Sequence, residues 1–140
     1  MLKVQRDIKD ILKRKQLSTF RGTPEGHLGS GYVRRLEEVF CDYFNVKYAV
    51  AMNSATACLH AAMVSVNMTA SDEVIVSPYS FSSSASCVLM VGAKPVFADI
   101  QDDIYCMNPK SALKVLTENT KAIIPVHLFG HPADMEPIME

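Results

Sequence analysis

Apolar residues recur every three or four positions at the start of the chain. Val4, Ile8, Ile11 and Leu12 fall on one side of a helix running from Leu2 to about Lys15. The pattern then breaks: residues 16–31 hold five glycines or prolines with Ser and Thr, and read as an irregular loop. A second amphipathic helix follows from Tyr32 to Phe44, with Val33, Leu36, Val39, Phe40 and Tyr43 on its apolar side. From there the apolar runs shorten. Tyr48 to Met52 reads as a buried strand that turns through Asn53-Ser54 into a helix over 55–66. Glu73 to Ser77 reads as a strand ended by Pro78. Residues 79–92, rich in Ser and Ala, are assigned to a helix closed by Gly92 as its C-cap. A strand from Pro95 to Ile100 leads into Gln101-Asp102-Asp103. Asn108-Pro109 opens a helix to about Thr117, with proline in the tolerated first turn. Lys121 to Val126 is a further strand, and Pro132 to Glu140 begins a last helix.

Strands alternating with helices from residue 48 onward predict a three-layer α/β/α arrangement around a mostly parallel sheet, covered on both faces. In such sheets ligands bind beyond the carboxyl ends of the strands. Three segments lie at such ends: Asn53 to Thr56, Ser77 to Phe81, and His127 to Gly130. The pattern alone does not make the three strands neighbours.

Composition narrows the function. The 140 residues are 49% hydrophobic and 21% charged with a formal net charge of -1, which is globular and lacks the basic footprint of a nucleic-acid binder. Lys13-Arg14-Lys15 closes the first helix, where cations suit the helix dipole. No run resembles a signal peptide or a membrane span, so a cytoplasmic protein is expected. The cysteines at 41, 58, 87 and 106 form no Cys-x-x-Cys pair and read as buried free thiols. The histidines at 27, 60, 127 and 131 show no ligand spacing, and no metal site is expected.

The turn after residue 52 carries the clearest chemistry. Small and hydroxyl residues at Ser54, Ala55 and Thr56 sit where the first N–H groups of a helix have no partner. Free donors, a Thr hydroxyl and the positive end of the helix dipole make a seat for an anion such as a phosphate. The same residues are also good helix caps, with Asn53 or Ser54 satisfying its own helix.

The order of segments resembles the amino-terminal part of the DegT/DnrJ/EryC1/StrS aminotransferases. The residues that carry the likeness are Gly31-Tyr32-Val33-Arg34-Arg35-Leu36-Glu37, Lys47 through Thr56, Asp72 through Pro78, Gly92 through Ile100, Thr120 through Gly130, and Pro132-Ala133-Asp134-Met135. The resemblance covers nearly everything from residue 20 to 140. It implies a fold-type-I large domain that is incomplete at its carboxy end, with a helix and loop over 1–30 and the partial cofactor-binding domain over 31–140. It also implies pyridoxal phosphate as cofactor, glutamate as amino donor, keto sugar nucleotides as substrates and a homodimer as the assembly. Ala55 and Thr56, with Ser54, would hold the cofactor phosphate, and Phe81 would stack on the pyridine ring. Without the resemblance, Phe81 reads as a core residue. Ser80 is a polar neighbour. Asp99 is a turn-forming residue after a strand, His127 a satisfied histidine or a substrate contact. Arg21 and His27 lie in the loop that the family places near its active site.

The family's Schiff-base lysine and its pyridine-pairing aspartate fall beyond residue 140. The lysines at 3, 9, 13, 15, 47, 94, 110, 114 and 121 do not stand in the lysine's context. The expectation is therefore an aminotransferase fragment inactive by itself. The alternatives are a sugar dehydratase of the same fold, a non-catalytic self-associating fragment, and a small phosphate-ligand binding module.

Overall fold

The computed structural model describes residues 3–15, 29 and 31–140. The expected loop, with Arg21 and His27, lies almost wholly outside the described residues. The chain divides into two compact units, Met1–Ala51 and Met52–Glu140.

The first unit holds helices α1 (Lys3–Arg14) and α2 (Gly31–Phe44). Helix α2 ends where Asn45 turns left-handed (φ 51°), a conformation Asn tolerates, and the Val46 N–H returns to the Cys41 carbonyl at 3.0 Å. The apolar stripes expected to face inward are exposed: Ile8 and Leu12 on α1, and Leu36, Val39 and Tyr43 on α2. No element of this unit covers them. The buried residue of α2 is Glu37, whose Oε1 accepts the Ala51 N–H at 2.9 Å, with Arg34 3.8 Å from its other oxygen. The strand expected at 48–52 does not form. A strand exists only as part of a ladder. Among the described residues nothing pairs with this segment, and Tyr48 and Val50 are exposed.

The second unit holds α3 (Ala55–Ser65), β1 (Glu73–Val76), α4 (Ser83–Met90), β2 (Lys94–Phe97), α5 (Pro109–Val115), β3 (Thr120–Ile124) and α6 (Met135–Met139). The three strands form a parallel sheet in the order β2-β1-β3, with Val76 level with Phe97 and Ile124. Strand β1 is central, and Val74, Ile75 and Val76 are completely buried. The pleat sends Val74 and Val76 toward Met63 of α3 and Cys87 and Val88 of α4. Ile75 points the other way, against Ala98, Met107 and Ala112 of α5. Two layers of helix thus cover two faces of one strand.

The elements end where local chemistry stops them. Ser54 caps α3, its Oγ accepting the Ala57 N–H at 3.1 Å. Asn108 caps α5 through the Lys110 N–H at 3.0 Å, with Pro109 in the first turn. Helix α4 is shorter than the expected 79–92 and closes on Gly92. The Gly92 N–H reaches the Leu89 carbonyl at 3.0 Å and the Ala93 N–H the Val88 carbonyl at 3.2 Å, the two bonds of a Schellman motif. Asp99 has the expected turn role: its carboxylate accepts the Ile100 N–H, and its own N–H bonds Ser111 Oγ. Among the described residues no helix is long and apolar enough to cross a membrane.

Two carboxylates tie the N-terminal edge of the sheet together. Glu73 accepts Lys94 Nζ at 2.8 Å and Thr117 Oγ1 at 2.7 Å. Asp72 accepts Lys121 Nζ at 3.0 Å, Thr69 Oγ1 at 2.9 Å and the Thr69 N–H at 2.6 Å. One residue therefore clamps β1 to β2, and its neighbour clamps it to β3. The Lys94 ammonium, then the Thr117 hydroxyl, hold the Glu73 carboxyl below its ordinary value of 4.5. Lys121, then Thr69, hold Asp72 below 3.8.

Both groups bind their proton more weakly when folded. Their contribution is therefore complete above the ordinary carboxylate values and is lost as pH falls through the lowered ones. Urea melts should show constant stability from neutral pH to about 5 and a steep loss below about 4. Glu73→Gln should flatten that acid limb. Gly92→Ala should destabilise by about 1 kcal/mol, from the left-handed backbone alone. Residue 92 has φ +79° and nothing within 4 Å of a built Cβ. Thermal melts of the variant check this.

Candidate functional site

The parallel strands deliver three loops to one edge of the sheet: 77–82 after β1, 98–108 after β2 and 125–134 after β3. Adjacency, which the sequence pattern left open, is a property of the order β2-β1-β3 for two of the anticipated segments, the one after β1 and the one after β3. Each loop contributes an aromatic ring. Tyr79 lies 5.8 Å from Tyr105 and 6.5 Å from Phe129, ring centre to ring centre. All three remain exposed, Phe129 most of all. Tyr105 (φ 58°) and Phe129 (φ 51°) are left-handed, a conformation costing a residue with a side chain about 1 kcal/mol. Phe129 and Gly130 (φ 83°) form the middle of a tight turn closed by the His131 N–H on the Leu128 carbonyl at 2.8 Å.

The chain leaves this edge in opposite directions. After β1 it passes to α4, on the face of Val74 and Val76. After β3 it passes to α6, which packs with α5 on the face of Ile75. A crevice between strands whose continuations part in this way is the usual ligand position in open α/β sheets. At its β1 side sits Ser77, only 4% exposed, and its Oγ has no hydrogen-bond partner among the described residues. At its β3 side His127 Nδ1 accepts the Ala133 N–H at 2.9 Å. That bond occupies Nδ1 as an acceptor, so the ring meets any further partner through Nε2. His127 is thus satisfied at one nitrogen and available at the other.

The anticipated phosphate seat is at the start of α3. The Ser54 hydroxyl and carbonyl take the Ala57 and Cys58 N–H groups. Among the described residues, the Ala55 and Thr56 N–H groups and the Thr56 hydroxyl have no hydrogen-bond partner. No acidic residue occupies the first turn of α3. Ser54 uses its oxygen as the cap acceptor and keeps its own proton to donate. Phe81 is not a core residue here, being 77% exposed just ahead of α4. Ser80 Oγ is engaged with Ser84 Oγ at 2.8 Å.

Cys87 and Cys106 are buried free thiols as expected, and burial pushes the Cys87 thiol up. Cys41 is half-buried and Cys58 is exposed, against expectation, because α3 turns that side to solvent. Among the described residues no three His, Cys, Asp or Glu side chains gather as metal ligands. Sequence reasoning passed over Tyr105. Its signal is faint, a lone aromatic after Asp102-Asp103 in a segment with no periodicity.

Relatives share this framework. GDP-perosamine synthase of Caulobacter vibrioides is 38% identical over 109 residues, which are 78% of this chain and 29% of that protein. An aminotransferase from Psychrobacter cryohalolentis superposes with a TM-score of 0.84 at 34% identity, over 99% of this chain and 33% of its own. NtdA from Bacillus subtilis, solved with its cofactor PMP bound, gives a TM-score of 0.83 at 27% identity, over 96% of this chain and 29% of its own. The chain thus spans under a third of the length of these relatives. Pyridoxal phosphate is the cofactor of the family and of its solved members. With residues 11–140 matching its pattern, the chain belongs to the DegT/DnrJ/EryC1/StrS aminotransferase family.

Proposed function

We propose that this chain is the cofactor-phosphate-binding part of a sugar aminotransferase, and that by itself it does not transfer amino groups. The observation that carries the reading is the start of α3. Two N–H groups and a hydroxyl, at Ala55 and Thr56, lack protein partners at the positive end of an eleven-residue helix. Such an end carries roughly half a positive charge. These donors suit a phosphate dianion, and Ser54 adds its hydroxyl proton while keeping the turn in shape. Phe81 offers an uncovered aromatic face for a flat heteroaromatic ring. Bound there, pyridoxal phosphate supplies the electron sink that amino transfer requires. GDP-perosamine synthase among the relatives supports a nucleotide-linked sugar as substrate.

The same geometry argues against independent catalysis. Lys94 and Lys121 enter their strands at the opposite edge of the sheet from the rim loops, and are paired with Glu73 and Asp72. The remaining lysines are on helices or ahead of the seat. The family's lysine and aspartate are expected in sequence beyond Glu140, which belongs with the large share of the relatives' length that this chain does not span.

A second reading, self-association, rests on the sheet edges. The Lys94 and Ala98 N–H groups both point to β1, so strand alternation turns Pro95 outward, and Pro has no donor to offer a new strand. The outer edge of β3 has no such guard. Lys121 is folded back onto Asp72 and Asn67, and the rest of Thr120–Ile124 is uncharged. An apolar groove lined by Ile123, Pro125, Met135 and Ile138 runs beside it. A second copy of the chain fits that edge, and the family dimer gives this reading its prior.

Pyridoxal phosphate and inorganic phosphate should each raise the melting temperature, and Thr56→Val should weaken pyridoxal phosphate about tenfold or more, the worth of a charge-assisted hydrogen bond. Calorimetric titration reads this. Supplied with pyridoxal phosphate, glutamate and a keto sugar nucleotide, the chain should show no turnover, and steady production of amino sugar would overturn the proposal. Light scattering should give a mass above that of the 15.5 kDa monomer. A clean monomer at high concentration would remove the second reading.

A further inference from the structure

We propose that Glu37 is a positioning residue for the cofactor phosphate. Its carboxylate fixes the chain three residues ahead of Ser54, and so holds the turn into α3 in the shape that presents the Ala55 and Thr56 donors. The choice of ligand rests on the cofactor reading above; the positioning role rests on the chain itself. Helix α2 buries the wrong kind of residue for a helix held by packing. Leu36, Val39 and Tyr43 are exposed, while Glu37 is buried. An acidic side chain is withdrawn from water only where it has partners. Glu37 has two, the Ala51 N–H at 2.9 Å from Oε1 and Arg34 at 3.8 Å from Oε2. The Arg34 contact is the looser one, because the same guanidinium bonds Glu38 at 3.2 Å. The bond to Ala51 is the close one, and an ionised acceptor makes it a strong one.

Nothing described duplicates that bond. Residues 48–52 join no ladder, and among the described residues no other hydrogen bond holds the backbone from Lys47 to Asn53. The segment is built to lie close to α2. Ala49 and Ala51 are half-buried while Tyr48, Val50 and Met52 are exposed, and Ala49 lines a cleft with Glu37, Glu38 and Cys41. Downstream, the Ser54 cap holds the Ala57 N–H at 3.1 Å. The backbone is thus tied at Ala51 and again at Ala57, and the Ala55 and Thr56 N–H groups lie inside that span. Ser54 is still extended (ψ 156°), and the helix begins one residue later. The directions of those two N–H groups therefore depend on how the chain arrives at Ser54. Without the upstream tie an anion would have to order that stretch as it binds, at the expense of affinity.

Calorimetric titration of the 140-residue chain with pyridoxal phosphate and with inorganic phosphate, together with backbone NMR order parameters, tests this role. Glu37→Ala should weaken both ligands about fivefold or more, the worth of ordering one residue on binding. Glu37→Gln keeps an acceptor for the Ala51 N–H and loses the charge, so it should stay within about twofold of the parent chain. Order parameters of Asn53, Ser54 and Thr56 should fall in Glu37→Ala from about 0.85 toward about 0.6, and recover in Glu37→Gln. Gly92→Ala, destabilised elsewhere, should bind as the parent does, which separates positioning from lost stability. Equal affinity or equal order parameters in the Glu37→Ala and parent chains overturns the proposal. So does tighter phosphate binding by Glu37→Gln, which would mean that the residue acts through its charge. A parent chain that binds neither ligand sinks the cofactor reading instead, and the order parameters then decide the role of Glu37 by themselves.

Discussion

The second unit depends on β1 being paired on both edges and covered on both faces. Four residues, Glu73 to Val76, meet β2 on one side and β3 on the other, and three of their side chains are wholly removed from water. At about 25 cal/mol per Å² of apolar surface, a Val or Ile in that position contributes about 1.5–3 kcal/mol each. The strand also sets direction. Because its neighbours run parallel, every crossover must return over a face of the sheet, and the right-handed rule places α4 and α5 on opposite faces. The rim is a consequence: three loops converge at one edge because the strands that feed them all point that way. The charges at the other edge belong to the same logic. Asp72 and Glu73 enter β1 side by side, and each holds the incoming end of a different neighbour.

The division between the two edges is chemical as well as geometric. Ion pairs gather where the strands begin, while the loops at their far ends bring the rings of Tyr79, Tyr105 and Phe129 together. Charges at the start of the sheet fix register without competing for a ligand. At the rim the backbone accepts costs that packing does not explain. Tyr105 and Phe129 are left-handed, and Ser77 is unpaired. Strain and unpaired groups at strand ends of this kind recur where ligands bind.

Much of this was legible from residue order because the signals were local. A serine before small helix formers gave the α3 cap, Asn108-Pro109 the start of α5, and Gly92 the left-handed stop of α4. Apolar β-branched runs of four or five residues located the three strands within a residue or two at most ends. The failures arose where the outcome depends on partners. Tyr48–Met52 has the composition of a strand, but no local property of five residues supplies the ladder that makes them one. The stripes of α1 and α2 are amphipathic, yet within their own unit nothing covers them. At the start of α3 the Ser54 cap was visible as a pattern, because a helix start needs only its own residues. The unpaired state of Ser77 and the meeting of Tyr79 with Tyr105 and Phe129 arise from pairing between segments dozens of residues apart.

That contrast bears on what the chain can do alone. Groups defined locally survive in a short polypeptide, so the α3 end keeps its donors and Phe81 its uncovered ring. Groups defined by distant pairing survive only as far as the sheet extends. Here it extends to β3, whose outer edge has no strand beside it among the described residues, and whose groove along α6 is lined mainly by apolar side chains. An edge without a guard is unstable against any strand that reaches it, whether from a longer version of the chain or from another copy. The edge of β2, where Pro95 withholds a donor, does not share this property. The sheet is therefore finished on one side and open on the other, and the open side adjoins the β3 loop that carries His127 and Phe129. A parallel strand added to β3 would bring its own terminal loop to the rim beside that one.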